Sequence, residues 1–153
     1  MNKASILIVD DNKGILETLS AILEEKGYRT DTAKNGREAI EKSKKNFYNM
    51  ALLDIKLPDI EGTKLLTEMK GTRPNMVKIM ITGYASINNA VEALNLGADA
   101  YIMKPVDPEN LLKLINEKLR AQSEAAKMNQ KKVAEWIETR ASMLIKKDNR
   151  DQE

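Results

Sequence analysis

A doubly wound parallel α/β sheet is the fold this sequence predicts, and three observations predict it. Short strand-like segments recur five times, four of them predominantly apolar and most of those with none of the polar alternation of a half-exposed strand. Each run is followed by a longer stretch whose apolar residues return at helical spacing. The two kinds of segment alternate strictly, as they must when parallel strands are joined by helical crossovers packed on both sheet faces. The chain has 153 residues, 42% of them hydrophobic, enough for one core domain of this kind.

Ile6 to Val9 is apolar throughout and reads as a fully buried strand. Ile15, Leu19, Ile22 and Leu23 form the apolar face of the helix that follows, which Gly27 is placed to end. Tyr28 to Ala33 is a weaker strand. Asn35-Gly36 then turns the chain into a short helix over Arg37 to Lys45. Met50 to Leu53 is the second strongly buried strand, ending in Asp54. A loop with Pro58 and Gly62 leads to a helix that buries Leu65, Leu66 and Met69. Met76 to Ile81 is the fourth strand, closed by Thr82-Gly83. Ile87, Val91 and Leu94 mark another helix, stopped by Gly97. Ala100 to Met103 is the last strand, closed by Lys104-Pro105. From Pro108 the pattern is helical, with neither Gly nor Pro between Glu109 and Glu153.

Composition removes whole classes of chemistry. The chain has no cysteine, so disulfides, thiol nucleophiles and thiolate metal sites are excluded. It has no histidine, which excludes a Ser-His-Asp triad, a His-ligated zinc and a phosphohistidine of its own. The net charge of +2 implies no strong field toward nucleic acid or an anionic membrane. The first apolar run is too short for a signal peptide or membrane span, so a cytoplasmic protein is expected.

The polar residues gather where the strands end. Asp10 and Asp11 follow the first strand, Asp54 the third, Thr82 ends the fourth and Lys104 follows the fifth. Ligands of doubly wound sheets bind beyond the carboxyl ends of the strands, and this topology brings those ends to one rim. Three carboxylates close together repel unless a cation is present. With only oxygen donors available, a hard ion is expected, and Mg²⁺ suits a site that also receives a phosphoryl group. Asp54 is then the candidate nucleophile, Lys104 offsets phosphoryl charge and Thr82 donates a hydrogen bond to a phosphoryl oxygen. With no histidine to carry a phosphoryl group of its own, the chain must receive it from an outside donor.

ILIVDDN at 6–12, ALLDIKLPDIEG at 51–62, MITGYAS at 80–86 and GADAYIMKP at 97–105 together resemble the receiver domain of two-component response regulators, of the chemotaxis-regulator type. The resemblance covers residues 4 to about 120 and rests on ordered motifs at several strand ends, not on a lone acidic pair. It implies the flavodoxin-like strand order 2-1-3-4-5. It implies that Asp54 is the phosphoacceptor, that Asp11 ligates Mg²⁺ directly and that Asp10 acts mainly through a metal-bound water. The backbone carbonyl of Lys56 would be a further ligand. Lys104, set by a cis bond to Pro105, would grip a phosphoryl oxygen. Thr82 would swing toward the phosphoryl group and Tyr101 would follow it inward as the switch aromatic. The side chains of Lys56 and Tyr84, two past Asp54 and two past Thr82, would slow phosphoryl loss to water. The donor would be a sensor histidine kinase. The output face would be formed by the fourth helix, fifth strand and fifth helix. A receiver acts as a switch rather than as an enzyme, beyond Mg²⁺-dependent self-phosphorylation and slow autodephosphorylation.

The expected organisation is a receiver domain over 1–121 and a helical extension over 122–153. Val133, Trp136, Ile137, Arg140, Ala141 and Leu144 form an amphipathic stripe on that extension. A seam through Leu112, Ile115, Leu119, Gln122, Ala126, Asn129, Val133, Trp136 and Met143 is interrupted by its polar members. The preferred reading is a homodimer, through this helix or through the output face; the other is a linker to an output domain. No DNA-binding module is recognisable, so direct contact with nucleic acid is not expected. Two other functions compete. An aspartyl-phosphate hydrolase of the haloacid dehalogenase type would want an acid where Lys56 stands. A flavin binder would want a Gly-, Ser- or Thr-rich loop where the acidic Asp10-Asp11 stands.

Overall fold

The computed structural model describes residues 4–83 and 87–151, with the side chains of Ile87 and of residues 147–151 left aside. Strands β1 (Ser5–Val9), β2 (Arg29–Ala33), β3 (Met50–Leu53), β4 (Val77–Thr82) and β5 (Ala100–Met103) alternate with helices α1 (Lys13–Glu25), α2 (Gly36–Lys45), α3 (Gly62–Thr72), α4 (Ile87–Asn95) and α5 (Pro108–Asp151). All strand pairs are parallel and the order is β2-β1-β3-β4-β5. This is the doubly wound, flavodoxin-like arrangement.

Successive strand residues face opposite sides of a sheet. Leu7, Val9, Ala51, Leu53 and Met80 therefore enter one core, with Ala39, Leu65, Leu66 and Met69 from α2 and α3. Ile6, Ile8, Leu52, Ile79 and Ile81 enter the other, with Leu16, Leu19 and Leu23 of α1 and Leu111 and Ile115 of α5. Burial on both faces is why the central strands carry no polar alternation.

The ends of elements follow from competing hydrogen bonds. Gly27, at φ +89°, lets the chain leave α1, and the Tyr28 N–H is taken by the Leu23 carbonyl at 3.1 Å. The second strand accordingly begins at Arg29, one residue later than the apolar pattern suggests. Similarly the Met76 N–H is held by Arg73, and β4 begins at Val77.

The structure assigns the apolar residues of α4 and α5 to faces. Val91 and Leu94 lie outward on α4, and among its described side chains Ala93 is the buried one. Ile115 is fully buried in the sheet core. A dimer seam through Leu112, Ile115 and Leu119 is thereby excluded at its first members, since these side chains pack against the α1-side core.

The chain divides into Met1–Leu119 and Arg120–Glu153. The second unit is helix throughout its described length and leaves Val133, Trp136, Ile137 and Leu144 exposed. Among the described residues no helix is long and apolar enough to cross a membrane.

Candidate functional site

Parallel register sets the carboxyl ends of neighbouring strands side by side. The Asp10 N–H donates to the Ala33 carbonyl at 3.1 Å, and the Asp54 N–H to the Val9 carbonyl at 3.1 Å. The backbone thus fixes both acids on the rim before their side chains make any contact. One carboxylate oxygen from each of Asp10, Asp11 and Asp54 lies within 4.8 Å of the others. Asp10 and Asp54 are buried and Asp11 is exposed.

Each neighbour constrains this cluster. Asp10 Oδ1 accepts from the Asn12 N–H at 2.9 Å, while Asn12 Oδ1 caps α1 through the Ile15 N–H at 3.1 Å. The Lys104 N–H donates to the Thr82 carbonyl at 2.9 Å, tying β5 to the end of β4. The Lys104–Pro105 peptide is cis. From that position Lys104 Nζ reaches Asp10 Oδ2 at 2.8 Å and Asp54 Oδ2 at 3.3 Å. Burial raises the Asp54 carboxyl above the usual 3.8; the Lys104 charge opposes that rise and Asp10 adds to it. Burial works against the Lys104 ammonium, but its hydrogen bond to Asp10 and the charge of Asp54 outweigh it and raise its pKa. One ammonium among three acids leaves negative charge uncompensated. The donor set is oxygen only, which fits a hard divalent cation.

The loop from Asp54 to Gly62 is drawn tight. The Lys56 N–H points at Asp54 Oδ1 at 3.4 Å, and Lys56 pairs with Glu61 as an antiparallel bridge. The Gly62 N–H donates to the Ile55 carbonyl at 2.6 Å, and a side chain at 62 would meet the backbone of Asp54 and Ile55. Asp59 then ties the loop to α2. Its two carboxylate oxygens accept from the Gly36 and Arg37 N–H groups at 2.8 and 2.9 Å, and these bonds lower its pKa. Asp59 has no place among the sequence candidates. Its position in the Leu57-Pro58-Asp59 turn is the only local signal, and its partners are more than twenty residues away.

Thr82 is fully buried at the end of β4, paired with Met103. Tyr101 is partly buried against the α2- and α3-side core, and its hydroxyl is shielded from solvent. Tyr84 lies outside the described residues. Next to Lys104, a groove of about 470 Å³ runs between α1 and the Lys104–Pro108 segment, lined by Ile15, Leu19, Ile22, Pro105 and Val106 among others.

The family model of the response regulator receiver domain matches residues 6–116. The chain belongs to that family. As a receiver domain it is similar to a CheY-like receiver domain protein of known structure from Methanospirillum hungatei JF-1, with 52% identity and a TM-score of 0.78 over 80% of this chain and 98% of that one. It is 36% identical to the transcriptional regulatory protein ZraR of Klebsiella oxytoca over 76% of this chain and 26% of the relative. It is 29% identical to GlrR of Escherichia coli over 94% of this chain and 32% of the relative. The receiver thus spans between a quarter and a third of the length of these two regulators.

Proposed function

We propose that this receiver is a phosphorylation-activated signalling switch that takes a phosphoryl group on Asp54 from a sensor histidine kinase. The observation that carries the reading is the Lys104 ammonium, held between Asp10 and Asp54 at a rim where three carboxylates meet. Phosphoryl transfer requires positioning and charge neutralisation, and a fixed ammonium beside an acidic acceptor contributes to both.

In the transfer, an Asp54 carboxylate oxygen bonds to phosphorus as the donor's phosphorus–nitrogen bond breaks, and the electron pair leaves with the imidazole. Mg²⁺ held by Asp10, Asp11, Asp54 and the Lys56 carbonyl would neutralise charge on the phosphoryl oxygens. Lys104 supplies the fixed cation from within the chain. Thr82 donates its hydroxyl to a phosphoryl oxygen, a contact available in only one of two conformations, which gives the phosphoryl group its differential grip. Tyr101 follows Thr82, and the change reaches the face made by α4, β5 and the first turns of α5. Val91, Leu94 and Met103 are exposed there, an apolar patch suited to a partner or a second copy. The groove that Lys104 helps to line offers the incoming kinase an apolar seat. The switch is cytoplasmic, turns over no substrate, and contacts neither nucleic acid nor membrane itself. It forms a homodimer through that patch or through its C-terminal helix.

The test is incubation with Mg²⁺ and a small acyl-phosphate donor, followed by mass spectrometry. One phosphoryl group is expected on Asp54 and none on Asp54→Asn; label on another residue would overturn the assignment. A second reading, a receiver unit working within a larger regulator, is favoured by the partial coverage of its relatives. It keeps the same chemistry and changes only the recipient of the signal. Sustained turnover of phosphate esters would instead support a hydrolase.

A further inference from the structure

We infer that Asp59 is a positioning residue for the acceptor site: it pins the loop that follows Asp54 to the start of α2, and so fixes where the Lys56 carbonyl and the Asp54 carboxylate stand. The role presupposes the Mg²⁺-dependent phosphoryl transfer proposed above and brings into it a residue outside the acidic cluster.

The segment from Ile55 to Gly62 is a closed hairpin. Its base is drawn together by the Gly62 N–H, which donates to the Ile55 carbonyl at 2.6 Å, and by the antiparallel bridge between Lys56 and Glu61. Pro58 stiffens the tip, because its ring fixes φ. A hairpin closed in this way shifts as a unit, so a displacement at the tip reaches the base. Lys56 stands at that base, with its N–H pointing at Asp54 Oδ1 at 3.4 Å. The main chain of Asp54 is already held by the Val9 carbonyl. The Asp54 side chain and the two residues after it are what the hairpin has left to place.

The tip is referred to α2 by one carboxylate. Asp59 Oδ1 accepts from the Gly36 N–H at 2.8 Å and Oδ2 from the Arg37 N–H at 2.9 Å. These are two of the donors that a helix start leaves without a partner inside the helix. Gly36 permits the approach, since a side chain there would overlap the Ile60 Cγ2 methyl. Helix α2 is itself seated by the buried side chains of Ala39 and Ser43, so the tip is held against a fixed element. Asn35 already caps this helix by accepting from the Glu38 N–H at 2.8 Å. What Asp59 adds to that cap is a tie to a loop 22 to 23 residues further along the chain, the loop that carries Lys56.

The test compares two ways of weakening the same helix end in the full chain. Asp59→Ala is expected to bind Mg²⁺ about tenfold more weakly by isothermal titration calorimetry, the lower end of what losing the support of a metal ligand costs. Its rate of phosphorylation by an acyl-phosphate donor should fall by a similar factor. Asp59→Asn keeps one carbonyl oxygen for the N–H groups and should recover most of both. Gly36→Ala keeps the carboxylate but pushes Ile60 away, and should weaken Mg²⁺ binding in the same direction. Asn35→Ala is the control: it removes a cap from the same helix end and lowers the melting temperature without touching the loop. Its Mg²⁺ affinity and phosphorylation rate should match those of the parent. All are measured below the onset of melting for every variant. If Asp59→Ala binds Mg²⁺ and takes its phosphoryl group as the parent does, or if Asn35→Ala loses as much, Asp59 serves stability alone and the assignment is overturned. If the unsubstituted chain neither binds Mg²⁺ nor is phosphorylated, the receiver chemistry itself fails and the positioning role falls with it.

Discussion

A single methyl group at position 62 should disable the acceptor without replacing any charged residue. In Gly62→Ala the new carbon would lie 2.5 Å from the Asp54 carbonyl oxygen and 2.5 Å from the Ile55 Cα. Both are backbone atoms, and ordinary contact begins at 3.4 Å. Relief therefore needs a shift of about 1 Å between β3 and the start of α3. Leu65, Leu66 and Met69 are fully buried and hold α3 in place, so the shift falls on Asp54 and Ile55. A misplacement of about 1 Å at a reacting centre costs roughly 100-fold in rate. Overpacking of this kind costs about 1–3 kcal/mol, equivalent to a melting temperature roughly 5–15 °C lower for a domain of this size. The assay is the rate of phosphorylation by an acyl-phosphate donor, read by mass spectrometry, beside thermal melts by circular dichroism. Gly71→Ala is the control: nothing lies within 4 Å of a side chain there, and neither rate nor stability should fall. If Gly62→Ala is phosphorylated and melts as the unsubstituted protein does, the tight-loop reasoning is wrong.

Asp54→Asn should be more stable than the parent at neutral pH. The raised pKa means the folded state binds more protons than the unfolded state from about 3.8 up to the raised value, so the parent loses stability as pH rises through that window. Denaturant titrations across pH should show that loss in the parent and a flatter profile in Asp54→Asn. Lys104→Met should leave Asp10 and Asp54 without their ammonium and cost about 3 kcal/mol, part of it recovered by millimolar Mg²⁺ in a thermal melt. Asp59→Ala removes the acceptor of two N–H groups at the start of α2 and should cost about 1 kcal/mol. Because the Asp59 pKa is lowered, its contribution is complete above about 3.8 and is lost as pH falls through the folded value. The difference between parent and Asp59→Ala should therefore shrink in acid unfolding curves.

The sheet was legible because its central strands are buried on both faces, which leaves uninterrupted apolar runs in the sequence. The convergence of Asp10, Asp11, Asp54 and Lys104 was legible for a related reason: parallel strands share one carboxyl edge, so residues following them must become neighbours. What stayed hidden depends on distance or on size. The Asp59 clamp joins groups far apart in the chain, and no periodicity records it. Val91 and Leu94 mark the α4 helix without saying which of its side chains are buried, and among the described ones that is Ala93. The Ile115 position shows the opposite problem, since one heptad pattern fits both a domain core and a dimer seam.

The attachment of α4 has a mechanical consequence. Helix α1 is anchored by the buried side chains of Leu16, Leu19 and Leu23, whereas the described part of α4 has one anchor, Ala93. At about 0.8 kcal/mol per buried methylene, dislodging α1 forfeits several kcal/mol more than sliding α4. A small rearrangement at the end of β4 can therefore be spent on moving α4 while the rest of the sheet keeps its packing. Amide hydrogens of α4 should exchange with solvent well before those of α1.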